Sequence, residues 1–184
     1  MNSYIKLAIA TMLPVIAAVI FYLLNKYTPF KKANEKLKQV LYGVMFGALA
    51  IVSTEWGIPM NGAQVNCRDA AVMVAGLLFG APAGLIAGFI GGIERWFAVY
   101  WGVGTYTRFA CTLGTIIAGL IGAMTRRLLY TDSRPSVLHG LIIGLSTEIL
   151  HMFMVFLTNM DGYAPRMEVM IPEYNKGMNE SSNP

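Results

Sequence analysis

Eight polar or charged residues in a mostly apolar chain could do chemistry: Asn66, Arg68, Asp69, Glu94, Arg95, Arg108, Glu148 and His151. Glu148 and His151 are spaced i, i+3, so a helix through them carries a carboxylate and an imidazole on one face. Such a pair can sense protons or bind a ligand, because histidine titrates near neutral pH. It can equally be an internal hydrogen-bonded pair that holds two helices. Arg68 adjoins Asp69 and Glu94 adjoins Arg95, and any of these could fix the polar end of a small molecule. The plainer alternative is a set of helix-capping charges, since Asp69 near an N-terminus and Arg95 near a C-terminus both suit the macrodipole. HExxH, P-loop and CxxC motifs are absent, and one histidine is not a mechanism. No catalytic residue, metal or cofactor is therefore expected, and the chain does not read as an enzyme.

The element that must position these residues runs from Arg68 to Arg95, with glycine at 76, 80, 84, 88 and 92, a strict spacing of four. Each Gly inside a helix costs about 0.8–1 kcal/mol against Ala in water. In lipid, small residues every fourth position let helix backbones approach closely, and that contact replaces the hydrophobic driving force. A helix interior tolerates Pro82 poorly and a first turn accepts it, so the rival to two arms is one long kinked helix of about 28 residues, which would overshoot a bilayer core. Two arms, roughly 69–80 and 82–97, are therefore expected to meet at Gly80-Ala81-Pro82. The first arm is too short to cross a bilayer unaided, so a thin, tilted or partly re-entrant course is expected.

Around this hairpin the sequence places long apolar runs. Residues 4–24 form the first, with Pro14 as a possible kink, followed by a segment carrying Lys26, Lys31, Lys32, Lys36 and Lys38. The second runs from about 37 to 56, with Gly43 and Gly47 on one face, and 57–66 reads as an irregular loop. A fifth helix is expected from about 107 to 124, stopped by Arg126 and Arg127, with Gly114 and Gly122 as packing positions. A last one is expected over 137–158, with Gly140 and Gly144. The positive-inside rule puts both basic loops in the cytoplasm and both termini outside. Glu55, Arg68, Asp69, Glu94, Arg95, Arg108, Glu148 and His151 then fall in the outer half, in a pocket open to the exterior, where charges must face water or one another.

Composition agrees with a membrane setting. The chain of 184 residues is 55% hydrophobic and 13% charged, with a mean hydropathy of +0.54, against about a quarter charged in soluble domains. The net charge of +4 serves topology, and no basic stripe with interleaved aromatics points to nucleic acid. Cys67 and Cys111 read as small packing residues. The expected class is an all-α integral membrane protein, a bundle of about six transmembrane helices with a Gly-rich helical hairpin at its centre. Its divisions are an N-terminal helix and basic cytoplasmic loop (1–36), a transmembrane receptor unit (37–158) and a polar tail (159–184), which is expected to be poorly ordered.

Three signals in order, Asn66-x-Arg68, AGLLFGAPAGLIAGFIGGIER at 75–95 and ACTLGTIIAGLIG at 110–122, resemble the LytS/YhcK-type five-transmembrane receptor domain of bacterial sensor proteins. The resemblance covers roughly 41–157. Asn66, Arg68, Gly80, Pro82, Gly84, Gly88, Gly92 and Arg95 match, whereas Glu94 stands where a His often precedes the Arg. The resemblance implies a multi-pass input module in the bacterial cell membrane, usually joined to a cytoplasmic histidine kinase, cyclase or phosphatase, and in one branch linked to cell-wall metabolism. Its partners would be the bilayer, an unknown small ligand, and a second copy or a cytoplasmic output protein. No output domain follows in this sequence, which leaves a truncated receptor or a stand-alone module. The glycine-rich bundle is also similar to the substrate-binding subunits of energy-coupling-factor vitamin transporters, which is the alternative reading.

Overall fold

A computed structural model describes residues 3–60, 63–98, 100, 107–130 and 136–158. Helix α1 spans Ser3–Tyr27 and continues through Pro14. After a 3-10 turn at Pro29–Lys32, α2 spans Glu35–Glu55, with the Asn34 side chain accepting the Lys36 N–H at 2.9 Å. That capping oxygen satisfies one of the four orphan N–H groups of the first turn. Strands β1 (Ile58–Met60) and β2 (Ala63–Val65) pair antiparallel, Ile58 opposite Val65. The segment expected to be an irregular loop is thus a small hairpin, which pairs its own backbone groups where side-chain pattern gave no alternation to read.

Helix α3 spans Arg68–Val74 and passes into a π-helical turn at Ala75–Phe79. Gly80 ends it at φ 110°, and α4 spans Ala81–Ala98. The expected two-armed hairpin is therefore present, its corner made by a backbone conformation that is essentially confined to glycine. Helix α5 spans Arg108–Leu129 and α6 Val137–Thr158. Arg126 and Arg127 do not stop α5, as the sequence suggested. They lie in its last turn, where cations favour the helix by opposing its dipole. Arg134 and the tail 159–184 lie outside the described residues.

Helices α1, α2, α5 and α6 are each long and apolar enough to cross a membrane, and the chain is a multi-pass membrane protein. The hairpin sits among α2 and α5 as the buried centre. A Cβ added at Gly84 would lie 2.6 Å from Gly76 Cα and 2.8 Å from the Gly119 carbonyl oxygen, and one at Gly76 would lie 2.6 Å from the Ala123 nitrogen. Three backbones therefore touch with no side chain between them. Gly122 faces the Met73 carbonyl oxygen, Gly88 and Gly92 face Ile116, and Gly43 and Gly47 seat Ile86 and Ile90 across α2 and α4. Beyond the seam, Phe79 stacks among Phe21, Tyr42 and Phe46, its ring centroid 4.3 Å from that of Tyr42.

Three of the glycines assigned to packing do something else. Gly140 has nothing within 4 Å of an added Cβ, and Gly144 meets only the Met73 methyl at 3.5 Å. The last helix thus does not share the seam. Gly80 serves the corner, its surroundings being no closer than 3.7 Å. Gly80→Ala should cost about 1–3 kcal/mol through backbone strain alone, read as a lowered thermal midpoint of the detergent-solubilised chain. A change within error would mean that the corner can relax.

Candidate functional site

The corner fixes one end of the bundle. Gln39 at the start of α2 donates its Nε2–H to the Phe79 carbonyl at 2.5 Å. Arg126 at the end of α5 donates to the Leu77 and Leu78 carbonyls at 3.1 and 2.8 Å. These bonds satisfy carbonyls left free where the helix ends. They also put the corner beside the Lys-rich segment and the basic end of α5. The opposite end of the hairpin, where α3 begins, is where the candidate residues collect.

Arg68 starts α3 with its N–H bonded to Asn66 Oδ1 at 3.1 Å, so Asn66 positions the helix start. The Arg68 side chain is 1% exposed and Asp69 5% exposed. The guanidinium donates to Thr115 Oγ1 at 2.6 Å, and its Nε lies 3.3 Å from Asp69 Oδ1. A longer contact, 3.5 Å, reaches Thr54 Oγ1 on α2. Thr115 in turn donates to the same Asp69 oxygen at 2.7 Å. The second carboxylate oxygen, Asp69 Oδ2, meets His151 Nδ1 at 2.5 Å. One buried carboxylate thus ties together α3, α5 and α6, and the guanidinium beside it extends the network to α2. A charge buried in an apolar surround is tolerable only when paired and hydrogen-bonded in this way.

Gly114 is the reason His151 fits. A Cβ at Gly114 would come 2.9 Å from His151 Cδ2, so the imidazole lies flat on bare backbone. Gly114→Ala should push the ring off Asp69 and cost about 1–3 kcal/mol. In thermal melts of the double variant, His151→Gln should then add little to Gly114→Ala. Full additivity would show that Gly114 does not act through the ring.

Glu148, one turn before His151, is exposed on α6. With Asp69, Ala70, Met73, Gly140, Leu141, Gly144, Leu145 and Thr147 it lines a cavity of about 230 Å³. The two glycines that do not pack therefore open this space between α3 and α6. Glu94 is half-buried, near Thr54 and within the field of Arg68, Glu55 and Arg95. Arg95 is buried and donates to Thr107 Oγ1 at 2.9 Å, joining the end of α4 to the start of α5.

Arg108 does not join this group. Its Nε donates to the Trp96 carbonyl at 2.8 Å, and the guanidinium lies over the Trp96 ring, 4.1 Å from its centroid, and over Tyr100 at 5.4 Å. Cation–π stacking on interfacial aromatics competes for the side chain. Sequence reading missed Thr54, Thr107, Cys111 and Thr115. The last three are spaced by four, from the residue that caps α5 into the helix, a stripe of small polar groups legible as a helix face. The Cys111 thiol lies beside His151 and Thr107. Cys67 also engages polar partners, its N–H on Ser53 Oγ at 2.8 Å and its sulfur 2.9 Å from Thr11 Oγ1, so neither cysteine is only a packing residue.

Comparison with known proteins agrees with this architecture. Sensor histidine kinase YpdA of Escherichia coli K12 is 32% identical over 127 residues, 69% of this chain and 22% of the kinase. Sensor histidine kinase BtsS of the same strain is 25% identical over 144 residues, 76% of this chain and 25% of that protein. Sensor protein LytS of Streptococcus agalactiae serotype V is 23% identical over 163 residues, 78% of this chain and 27% of LytS. The chain thus spans about a quarter of the length of these curated relatives. No solved structure matches it. The family described as 5TMR of 5TMR-LYT matches residues 21–165, and the chain belongs to that family.

Proposed function

We propose that the chain is the sensory input of a bacterial signalling system and takes a small polar ligand in the recess around Arg68, Asp69, Glu94 and His151. The observation that carries this is a set of buried polar atoms on three helices, Glu94 Oε2, Thr112 Oγ1 and His151 Nε2, which have no hydrogen-bond partner among the described residues. Native interiors leave few such atoms, and each one calls for a partner. His151 belongs to the network that joins α2, α3, α5 and α6, and Glu94 lies in the field of its Arg68, so a molecule bonding to them would bias the packing of the whole bundle. Arg95, Thr107 and Asn66 hold the walls in place. Helix shifts along the glycine seams would carry the change to the basic end, where Gln39 and Arg126 grip the hairpin corner. The output would be a histidine kinase or a similar effector, YpdA and BtsS being sensor histidine kinases, and the chain itself would carry no enzymatic activity.

The family match favours this reading over the vitamin-transporter subunit. Native mass spectrometry of the full chain in detergent tests it. A retained small molecule of fixed mass is expected, with occupancy lowered by Glu94→Gln and by Thr112→Val. Absence of any adduct, or one indifferent to both substitutions, would overturn it.

A further inference from the structure

We infer that Asp69, Glu148 and His151 form a binding site for a first-row divalent transition metal at the inner wall of the α3/α6 cavity. One ligand atom from each residue lies within 4.8 Å of the others. Two of the three groups, Asp69 and His151, are fixed by the buried network, and Glu148 faces the cavity on a helix surface where its side chain can turn. Around a tetrahedral ion with bonds of about 2.0–2.2 Å the ligand atoms stand roughly 3.4 Å apart. Rotation of Glu148 and a slight parting of Asp69 Oδ2 from His151 Nδ1 would reach that spacing. The ion would replace the proton these two atoms share, and binding would release it.

One imidazole and two carboxylates suit Zn²⁺, Mn²⁺, Fe²⁺ or Co²⁺ better than the all-oxygen shells of Ca²⁺ and Mg²⁺. Three protein ligands leave a position open, and two of them, Asp69 and Glu148, line the cavity. Thr115 and Arg68, both bonded to Asp69 Oδ1, leave the other carboxylate oxygen for the ion and fix its direction, the role that outer hydrogen bonds play around metal ligands. A carboxylate placed midway along a spanning helix costs at least about 2.5–3.5 kcal/mol without a counter-charge, and a divalent ion supplies one for Glu148.

This inference deepens the proposed recess by naming what part of it holds, and rests on that recess being an input site. The test uses the full chain in detergent, stripped with chelator and titrated with Zn²⁺ and with Co²⁺, bound metal being counted by mass spectrometry and Co²⁺ followed by its visible absorption. One ion per chain is expected, with affinity lowered about 10-fold or more by Glu148→Gln and by His151→Gln. Because Glu148 is exposed, its variant should keep the fold, and an unchanged thermal midpoint without metal checks this. Less than one ion per chain, affinity unmoved by Glu148→Gln, or equal competition by Mg²⁺ would overturn the inference. If an organic adduct is retained while no metal binds, only the metal site fails. If metal binds as expected but no adduct is ever retained, the site stands and the organic-ligand reading fails.

Discussion

Asp69→Ala should destabilise the chain more than any other single substitution at the site, by about 3–5 kcal/mol, the usual cost of removing one partner of a buried ion pair. Among the described residues Arg68 would keep its hydrogen bonds to the hydroxyls of Thr115 and Thr54, and His151 would lose the contact that draws α6 to the hairpin. The loss should exceed that of Thr115→Val, which removes hydrogen bonds of about 1–3 kcal/mol but leaves the charges paired. Denaturation of the detergent-solubilised chain measures both. Limited proteolysis locates the damage, because α6 makes few other contacts with the hairpin and should become the first helix cut. If Asp69→Ala melts like the parent, the carboxylate is not what holds α3, α5 and α6 together.

The second large effect belongs to the seam. Gly84→Val should cost about 3 kcal/mol, at the upper end for overpacked interiors, because the added atoms meet Gly76 Cα and the Gly119 oxygen rather than side chains that can turn away. Gly119 is bound by the same geometry from the other side, its added Cβ falling against the Gly84 carbonyl oxygen. Gly140→Ala is the matched control. Nothing lies within reach of its new methyl, and Ala is the better helix former by about 0.8–1 kcal/mol, so it should leave the melt unchanged or raise it. Equal losses at positions 84 and 140 would mean that spacing alone, and not contact, makes these glycines matter.

That contrast marks how far the sequence could be read. A spacing of four and a proline in a first turn were enough to place the hairpin and its corner, because both follow from local backbone rules. The same spacing in the last helix misled, since period says which residues share a face and not what the face touches. Gly140 and Gly144 face a cavity, whereas Gly119, whose neighbours Thr115 and Ala123 continue the same row, lies at the heart of the seam. The π-helical turn at Ala75–Phe79 was not legible either, since no local residue rule marks it; Gly76 and Leu77 within it pack against α5. For the site, Arg68, Asp69 and His151 were conspicuous as charges in an apolar chain, and the structure brings them together. Arg108 was equally conspicuous and went to the aromatics at 96 and 100, which offered a surface the charge pattern did not reveal. Thr115 was overlooked because a hydroxyl in a spanning helix usually bonds its own backbone. Here its oxygen lies 2.9 Å from the Cys111 carbonyl, but its one proton is shared with Asp69 while the oxygen accepts from Arg68.

Whether the charges share a wet recess open to the exterior can be measured by thiol labelling from a chosen side. In a chain lacking Cys67 and Cys111, Glu148→Cys should react with a charged, membrane-impermeant thiol reagent applied outside spheroplasts, and Gln39→Cys, beside the hairpin corner, should react only after the cytoplasmic face is exposed. A residue at 148 that stays unlabelled from outside, or a residue at 39 labelled there, would contradict it.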